Sequence, residues 1–186
     1  MGALVYSAIA SLDGYTVDAS GDFAWATPRP EVHRFINELE APVRTYLYGR
    51  RMYETMRAWE TPFALAEEFA FIRDFQRLWQ QADKVVYSTT LREARTGRTR
   101  LERSFDPDAV CRRVRDADHD VSIGGPTLAA HALRAGIVDE VRWFVVPTVV
   151  GGGTPFLPSD LHARLDLREE RRFGDGTVFL RYAVRR

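Results

Sequence analysis

The sequence predicts an α/β fold: a mostly parallel central sheet, helices on both faces and a C-terminal antiparallel hairpin. Three observations predict it. Short runs of β-forming residues alternate with stretches of helical periodicity. One run, Val141 to Val150 (VRWFVVPTVV), is nearly all apolar, as in a strand covered on both faces. Gly174-Asp175-Gly176 separates two further runs in the way a hairpin turn does.

The elements follow in order. Leu4 to Ser11 (LVYSAIAS) is rich in β-formers and stops at Asp13-Gly14, a turn signal. Glu31 to Glu40 spaces Val32, Phe35, Ile36 and Leu39 as one helix face, with Pro30 suited to its start. Thr45 to Tyr48 is a short buried strand, and Arg51 to Trp59 a helix. Phe63 to Gln81 reads as one helix with Phe69, Ile72, Phe75, Leu78 and Trp79 on one side. Lys84 to Ser88 and Arg98 to Arg103 are strands. Pro107 to Ala117 is a helix capped by Asp106. Asp120 to Ile123 is a strand; Pro126 opens a helix that ends at Gly136. In the apolar run, Pro147 marks an edge or a bulge, and the run serves as shared core or as an interface. Leu165 to Phe173 and Thr177 to Val184 form the hairpin.

A chain of 186 residues needs no second domain and no covalent staples, so 1–186 is read as one unit. Its formal net charge of zero argues against a nucleic-acid partner. Cys111 is the sole cysteine, which rules out an internal disulfide; a packing role suffices for it. Met1 to Tyr15 lacks the pattern of a signal peptide, and no apolar run approaches the roughly 20 residues of a membrane helix. The expected compartment is the cytoplasm, with no membrane partner. His33, His119, His131 and His162 share no metal-ligand spacing, so no metal is expected.

Three junctions at strand ends could carry chemistry, because doubly wound sheets bind ligands outside the carboxyl ends of their strands. Ile123-Gly124-Gly125-Pro126-Thr127 joins a strand to a helix. There the backbone can approach a ligand closely, and the helix start offers N–H groups to a phosphate. The same pair also fits a tight turn that needs no ligand. Gly49-Arg50-Arg51 repeats the arrangement with two guanidinium groups, which match phosphate oxygens or are simply solvated. Ser88-Thr89-Thr90 places hydroxyls at a third strand end, as loop caps or as an anion site. Together the three suit a phosphorylated dinucleotide, although the G-x-G-x-x-G fingerprint is absent.

At this point the chain resembles the dihydrofolate reductase-like superfamily, and within it the RibD C-terminal (riboflavin biosynthesis reductase) type. The resemblance rests on Ser11-Leu12-Asp13-Gly14, Gly49-Arg50-Arg51-Met52-Tyr53-Glu54, Ile123-Gly124-Gly125 and Val150-Gly151-Gly152-Gly153-Thr154-Pro155-Phe156, in that order. It implies NADPH as cofactor. Gly124, Gly125 and Thr127 would then hold the pyrophosphate, and Gly49, Arg50, Arg51, Ser88 and Thr89 the adenosine-side phosphates. Met52 stands where relatives commonly have threonine. The resemblance also implies that Ala8, Ile9, Thr16, Trp25 and Thr154 line the substrate side, and that the protein forms a homodimer. Gly125→Asp is expected to abolish cofactor binding and spare the fold.

Reduction of a C=N or C=O bond leaves negative charge on a heteroatom that must take a proton. Glu31 matches the acid that the resemblance places early in the first helix; it also suits a helix N-terminus with no chemistry. Asp13 is the second candidate, and an Asp-Gly turn explains it equally. The dedicated riboflavin enzyme usually has a lysine before its Ser-Leu-Asp-Gly motif, where this chain has Tyr6 and Ala8. Its longer arginine-bearing segment for a ribose phosphate is also missing here. The expected substrate is therefore a pyrimidine- or pterin-like heterocycle. The alternative is a catalytically silent nucleotide- or flavin-binding module.

Overall fold

Alternating strands and helices build one eight-stranded sheet in the computed structural model, which describes residues 2–61 and 63–185; Met1, Pro62 and Arg186 lie outside them. The strands are β1 (Leu4–Ser11), β2 (Tyr15–Asp18), β3 (Val43–Gly49), β4 (Asp83–Tyr87), β5 (Thr99–Glu102), β6 (Asp120–Gly124), β7 (Glu140–Val146), β8 (Gly153–Pro155), β9 (Leu165–Arg172) and β10 (Val178–Val184). The helices are α1 (Pro30–Glu40), α2 (Arg50–Met56), α3 (Ala64–Glu68), α4 (Ala70–Gln81), α5 (Pro107–Asp116) and α6 (Pro126–Arg134). The sheet order is β5-β4-β3-β6-β1-β7-β10-β9. From β5 to β7 all neighbours are parallel, and β10 and β9 add the antiparallel hairpin.

Strand alternation sends successive side chains to opposite faces, and each face is covered by its own helices. Leu4 and Tyr6 of β1, Leu47 of β3 and Val121 and Ile123 of β6 pack with Val110 and Val114 of α5 and Leu128, Ala129, Ala132 and Leu133 of α6. On the other face Tyr46, Tyr48 and Val86 meet Tyr53 of α2 and Phe75 and Trp79 of α4. Further along that face Val32 and Phe35 of α1 pack on Phe144, Phe173 and Phe179. The Phe35 ring stands edge-on to Phe144 and Phe179, with centroids 6.2 and 4.9 Å away.

Several expectations need correction. Phe63 to Gln81 is two helices, because Phe69 is extended (φ −114°, ψ 120°) and separates α3 from α4. The Arg73 guanidinium donates to the carbonyls of Ala66 and Glu67, which the break leaves without helical partners. The apolar run stops at Val146, since Pro147 has no N–H for a ladder. Its strand β7 lies between β1 and β10 and is core, whereas Val149 beyond it is exposed. The helix from Arg51 begins at Arg50 and tightens into a 3-10 turn at Arg57–Glu60. A second small sheet, β2 paired with β8, was not legible in the sequence; each strand is too short to show a period.

Candidate cofactor site and active site

Parallel neighbours share a direction, so the carboxyl ends of β4, β3, β6 and β1 lie side by side along one edge of the sheet. Tyr48 pairs with Gly124, and Gly49 with Tyr87. The three sequence junctions are therefore adjacent in space. At the β6 tip Gly125 caps α6 with φ +90° and gives its first turn no side-chain cap. Thr127 is exposed there, leaving the positive end of the helix open.

Both glycines are also demanded by packing. A Cβ on Gly124 would lie 2.6 Å from Cε1 of the buried Tyr48 ring, and one on Gly125 would lie 3.0 Å from Met52 Cβ. Gly49 differs: its φ is −75°, and its nearest neighbour, Leu128 Cβ, would sit at an ordinary 3.7 Å.

At the β3 tip Arg50 donates to Glu54 and to the Thr90 hydroxyl, each at 2.9 Å, which holds its guanidinium against the β4 tip. Arg51 is exposed and pairs with no carboxylate among the described residues. The Ser88 hydroxyl accepts from Thr90 N and Leu91 N at 3.2 and 3.0 Å, so the loop uses it as a cap. Thr89 is exposed beside it.

The first strand holds a feature the sequence did not announce. β1 pairs with β6 only over Leu4 to Tyr6, but with β7 from Val5 to Ser11. The Ala3 carbonyl accepts from Val121 on the β6 side, and that of Leu4 accepts from Asp139 on the β7 side. Odd-numbered residues of β1 thus turn their backbone toward β6. Beyond Tyr6 the β6 chain has left for the Gly124-Gly125 turn. The Ser7 carbonyl and both backbone groups of Ile9 then face a split in the sheet with no strand partner among the described residues.

The substrate-side residues fall unevenly around that split. Ala8 packs toward the α6 face and Ile9 toward the α1 face, so they are back to back. Thr16 donates to the Thr154 carbonyl at 3.1 Å, which brings those two together beside β1. Trp25, in the 3-10 turn Ala24–Ala26, is half-buried and gives its indole N–H to Asp22 of its own loop.

Neither acid is buried. Glu31 lies in the first turn of α1, accepts from Gly174 N at 3.3 Å and stands 3.9 Å from Arg171. Asp13 accepts from Val150 N at 3.2 Å with one oxygen and from Gly151 N at 2.8 Å with the other. The Ser11 hydroxyl, then those two N–H groups, hold its carboxyl below the usual carboxylate range. Among the described residues no group of side chains suits a metal ion, and no helix is long and apolar enough to cross a membrane. A small apolar hollow of about 20 Å³ lies at the opposite end of the sheet, between Leu133, Val141 and Leu161, away from all these residues.

Comparison with known proteins agrees with this fold. The family model of the RibD C-terminal domain matches residues 3–179. An uncharacterized protein of Bacillus subtilis (strain 168), YyaP, is 25% identical over 181 residues, covering 92% of this chain and 89% of the relative. A putative riboflavin biosynthesis protein from Shewanella superposes with a TM-score of 0.76 at 19% identity, over 99% of both chains. The Thermotoga maritima diaminohydroxyphosphoribosylaminopyrimidine deaminase/5-amino-6-(5-phosphoribosylamino)uracil reductase gives 0.68 at 16% identity, over 99% of this chain but 57% of that one. Dihydrofolate reductase from Enterococcus faecalis, complexed with NADP(H), gives 0.67 at 13% identity, over 100% and 98%. At these identities the solved structures establish the fold, which is dihydrofolate reductase-like.

Proposed function

Because the chain belongs to the RibD C-terminal domain family, we propose that it is an NADPH-dependent oxidoreductase acting on a C=N or C=O bond of a pyrimidine- or pterin-like ring. The observation that carries this reading is the split between β1 and β6. Unpaired Ile9 backbone groups stand on one side of it, and the uncapped start of α6 closes its tip. A nicotinamide carboxamide has an NH2 that donates and a C=O that accepts, the complement of a free C=O and N–H on one residue. The Gly125–Thr127 turn suits the pyrophosphate. Arg50 and Arg51 suit the adenosine-side phosphates, with Arg50 already oriented by Glu54 and Thr90. Ser88 and Thr89 border the same corner. When bound, the cofactor supplies a hydride. Ile9, Ala8, Thr16, Thr154 and Trp25 orient and enclose the ring that receives it, and Glu31, in the first turn of α1, is the carboxyl offered to relay the proton.

The test is to mix the protein with NADPH and with pyrimidine or pterin substrates, and to follow loss of the reduced cofactor's absorbance. Turnover is the expected result. Replacing both Arg50 and Arg51 by Ala should weaken NADPH more than NADH, on the order of ten-fold for a lost charge-assisted phosphate contact; equal losses would place these arginines elsewhere. One observation favours a second reading, a silent nucleotide- or flavin-binding module: both candidate acids are solvent-exposed, whereas catalytic acids are commonly tuned by burial. Cofactor binding with no consumption, for every ring tried, would select that reading.

A further inference from the structure

The segment after β1 and the segment before β8 are stitched together along their length. Leu12 N donates to the Thr148 carbonyl at 2.8 Å, and Phe156 N to the Gly14 carbonyl at 2.8 Å. Thr16 donates to Thr154, and β2 pairs with β8. Tyr6 anchors the far end: its hydroxyl donates to the Phe156 carbonyl at 2.9 Å and its ring stacks on Phe156 at 4.9 Å.

Between these fixed points lies Gly151-Gly152-Gly153, three consecutive residues with φ of +76°, +154° and +133°. Gly153 opens β8 and pairs with Asp18, but Gly151 and Gly152 lie outside any strand and carry no side chain to fix their shape. Within it Gly151 N bonds to a side chain, and that side chain is Asp13, whose other oxygen takes the adjoining Val150 N.

We infer that Asp13 is a positioning residue whose carboxylate clasps the glycine loop to the turn after β1, so that both close beside the β1 tip as one unit. This rests on the cofactor site proposed above and deepens it, for the clasp sits one turn beyond Ile9. A ligand entering the split meets a wall already ordered by Asp13. Without the carboxylate, the glycine loop and the β1–β2 turn must be ordered on binding, and affinity falls by that cost.

The test compares the wild type with Asp13→Ala and Asp13→Asn, by amide hydrogen exchange without ligand and by NADPH titration. Asp13→Ala should speed exchange in residues 148–154 and 12–17 together, and leave the buried strands of the sheet unchanged. NADPH should bind about ten-fold more weakly, with the loss in the dissociation rate. Asp13→Asn should fall between, since an amide has one acceptor oxygen, and its NH2 opposes the second N–H. Exchange that rises in the glycine loop alone, or unchanged NADPH binding in both variants, would overturn the inference. A uniform rise across the sheet would overturn it too, by making Asp13 a general stabiliser. Failure of the wild type to bind any nicotinamide nucleotide would instead remove the reductase reading and the ligand half of this inference. The exchange pattern would then still decide whether the clasp exists.

Discussion

Gly49, Gly124 and Gly125 all stand at strand tips, and a comparison of their surroundings separates packing from ligand binding. Gly124→Ala drives a methyl into the Tyr48 ring, which is 2% exposed and stacked on Tyr46 at 5.5 Å, so it cannot retreat. Overpacking of this kind costs about 1–3 kcal/mol. Gly125→Ala meets Met52 Cβ and must hold φ +90°, also at about 1–3 kcal/mol. Gly49→Ala meets nothing closer than 3.7 Å and should stay within about 0.5 kcal/mol. Urea denaturation of the three variants checks the order. Gly125→Asp therefore strains the turn before any phosphate is considered, a cost that the expectation of a spared fold left out. The glycine pair was legible in the sequence as a turn. The reason for Gly124 was not, because the Tyr48 ring reaches it from another strand.

The first helix, α1, connects two buried ionisable groups of opposite behaviour. His33 is boxed by Phe71, Phe75 and Trp59, with ring centroids 5.1, 5.7 and 6.3 Å away, and its Nδ1 finds no partner. Burial lowers its pKa from the ordinary 6.5. The folded state thus binds the proton less readily than the unfolded chain. Stability should be full above pH 6.5 and should fall as the pH drops toward the depressed folded value. A lower urea midpoint at pH 5.5 than at pH 7.5, with the difference reduced in His33→Phe, is the expected outcome.

At the other end of the helix, burial raises the pKa of Glu40 from 4.5, and the Arg142 guanidinium opposes the shift only in part. The contribution of this group is complete below pH 4.5 and is lost as the pH rises through the raised folded value. Glu40→Gln should therefore gain stability relative to the wild type as the pH climbs from 5 to 8. Arg142 keeps Glu140 at 2.6 Å and the Leu39 carbonyl at 3.1 Å in that variant. A constant difference across the range would contradict the assignment. Helix periodicity exposed the apolar face of α1 in the sequence. It could not show that His33 and Glu40 are buried too, since each depends on what α4 and β7 bring opposite.

For the whole molecule, the order of strands and helices was legible because each element carries its own period, cap or turn signal. Asp106 caps α5 through Asp108 N, as its position implied. What was not legible is long-range. The eight-stranded order places β6 between β3 and β1, and only this arrangement turns three separate glycine and hydroxyl motifs into one edge. The early departure of β6, which leaves Ile9 unpaired, follows from where Gly124 meets Tyr48 across the sheet. The acids were legible as residue types, yet Asp13 is committed to the glycine loop and Glu31 to the hairpin turn. A crystal structure of the protein grown with NADP+ tests the central claim most directly. It should show the pyrophosphate on the amides of Gly125 and Thr127, and the carboxamide bonded to the backbone of Ile9. An empty split at saturating nucleotide, or a nucleotide seated elsewhere on the molecule, would contradict it.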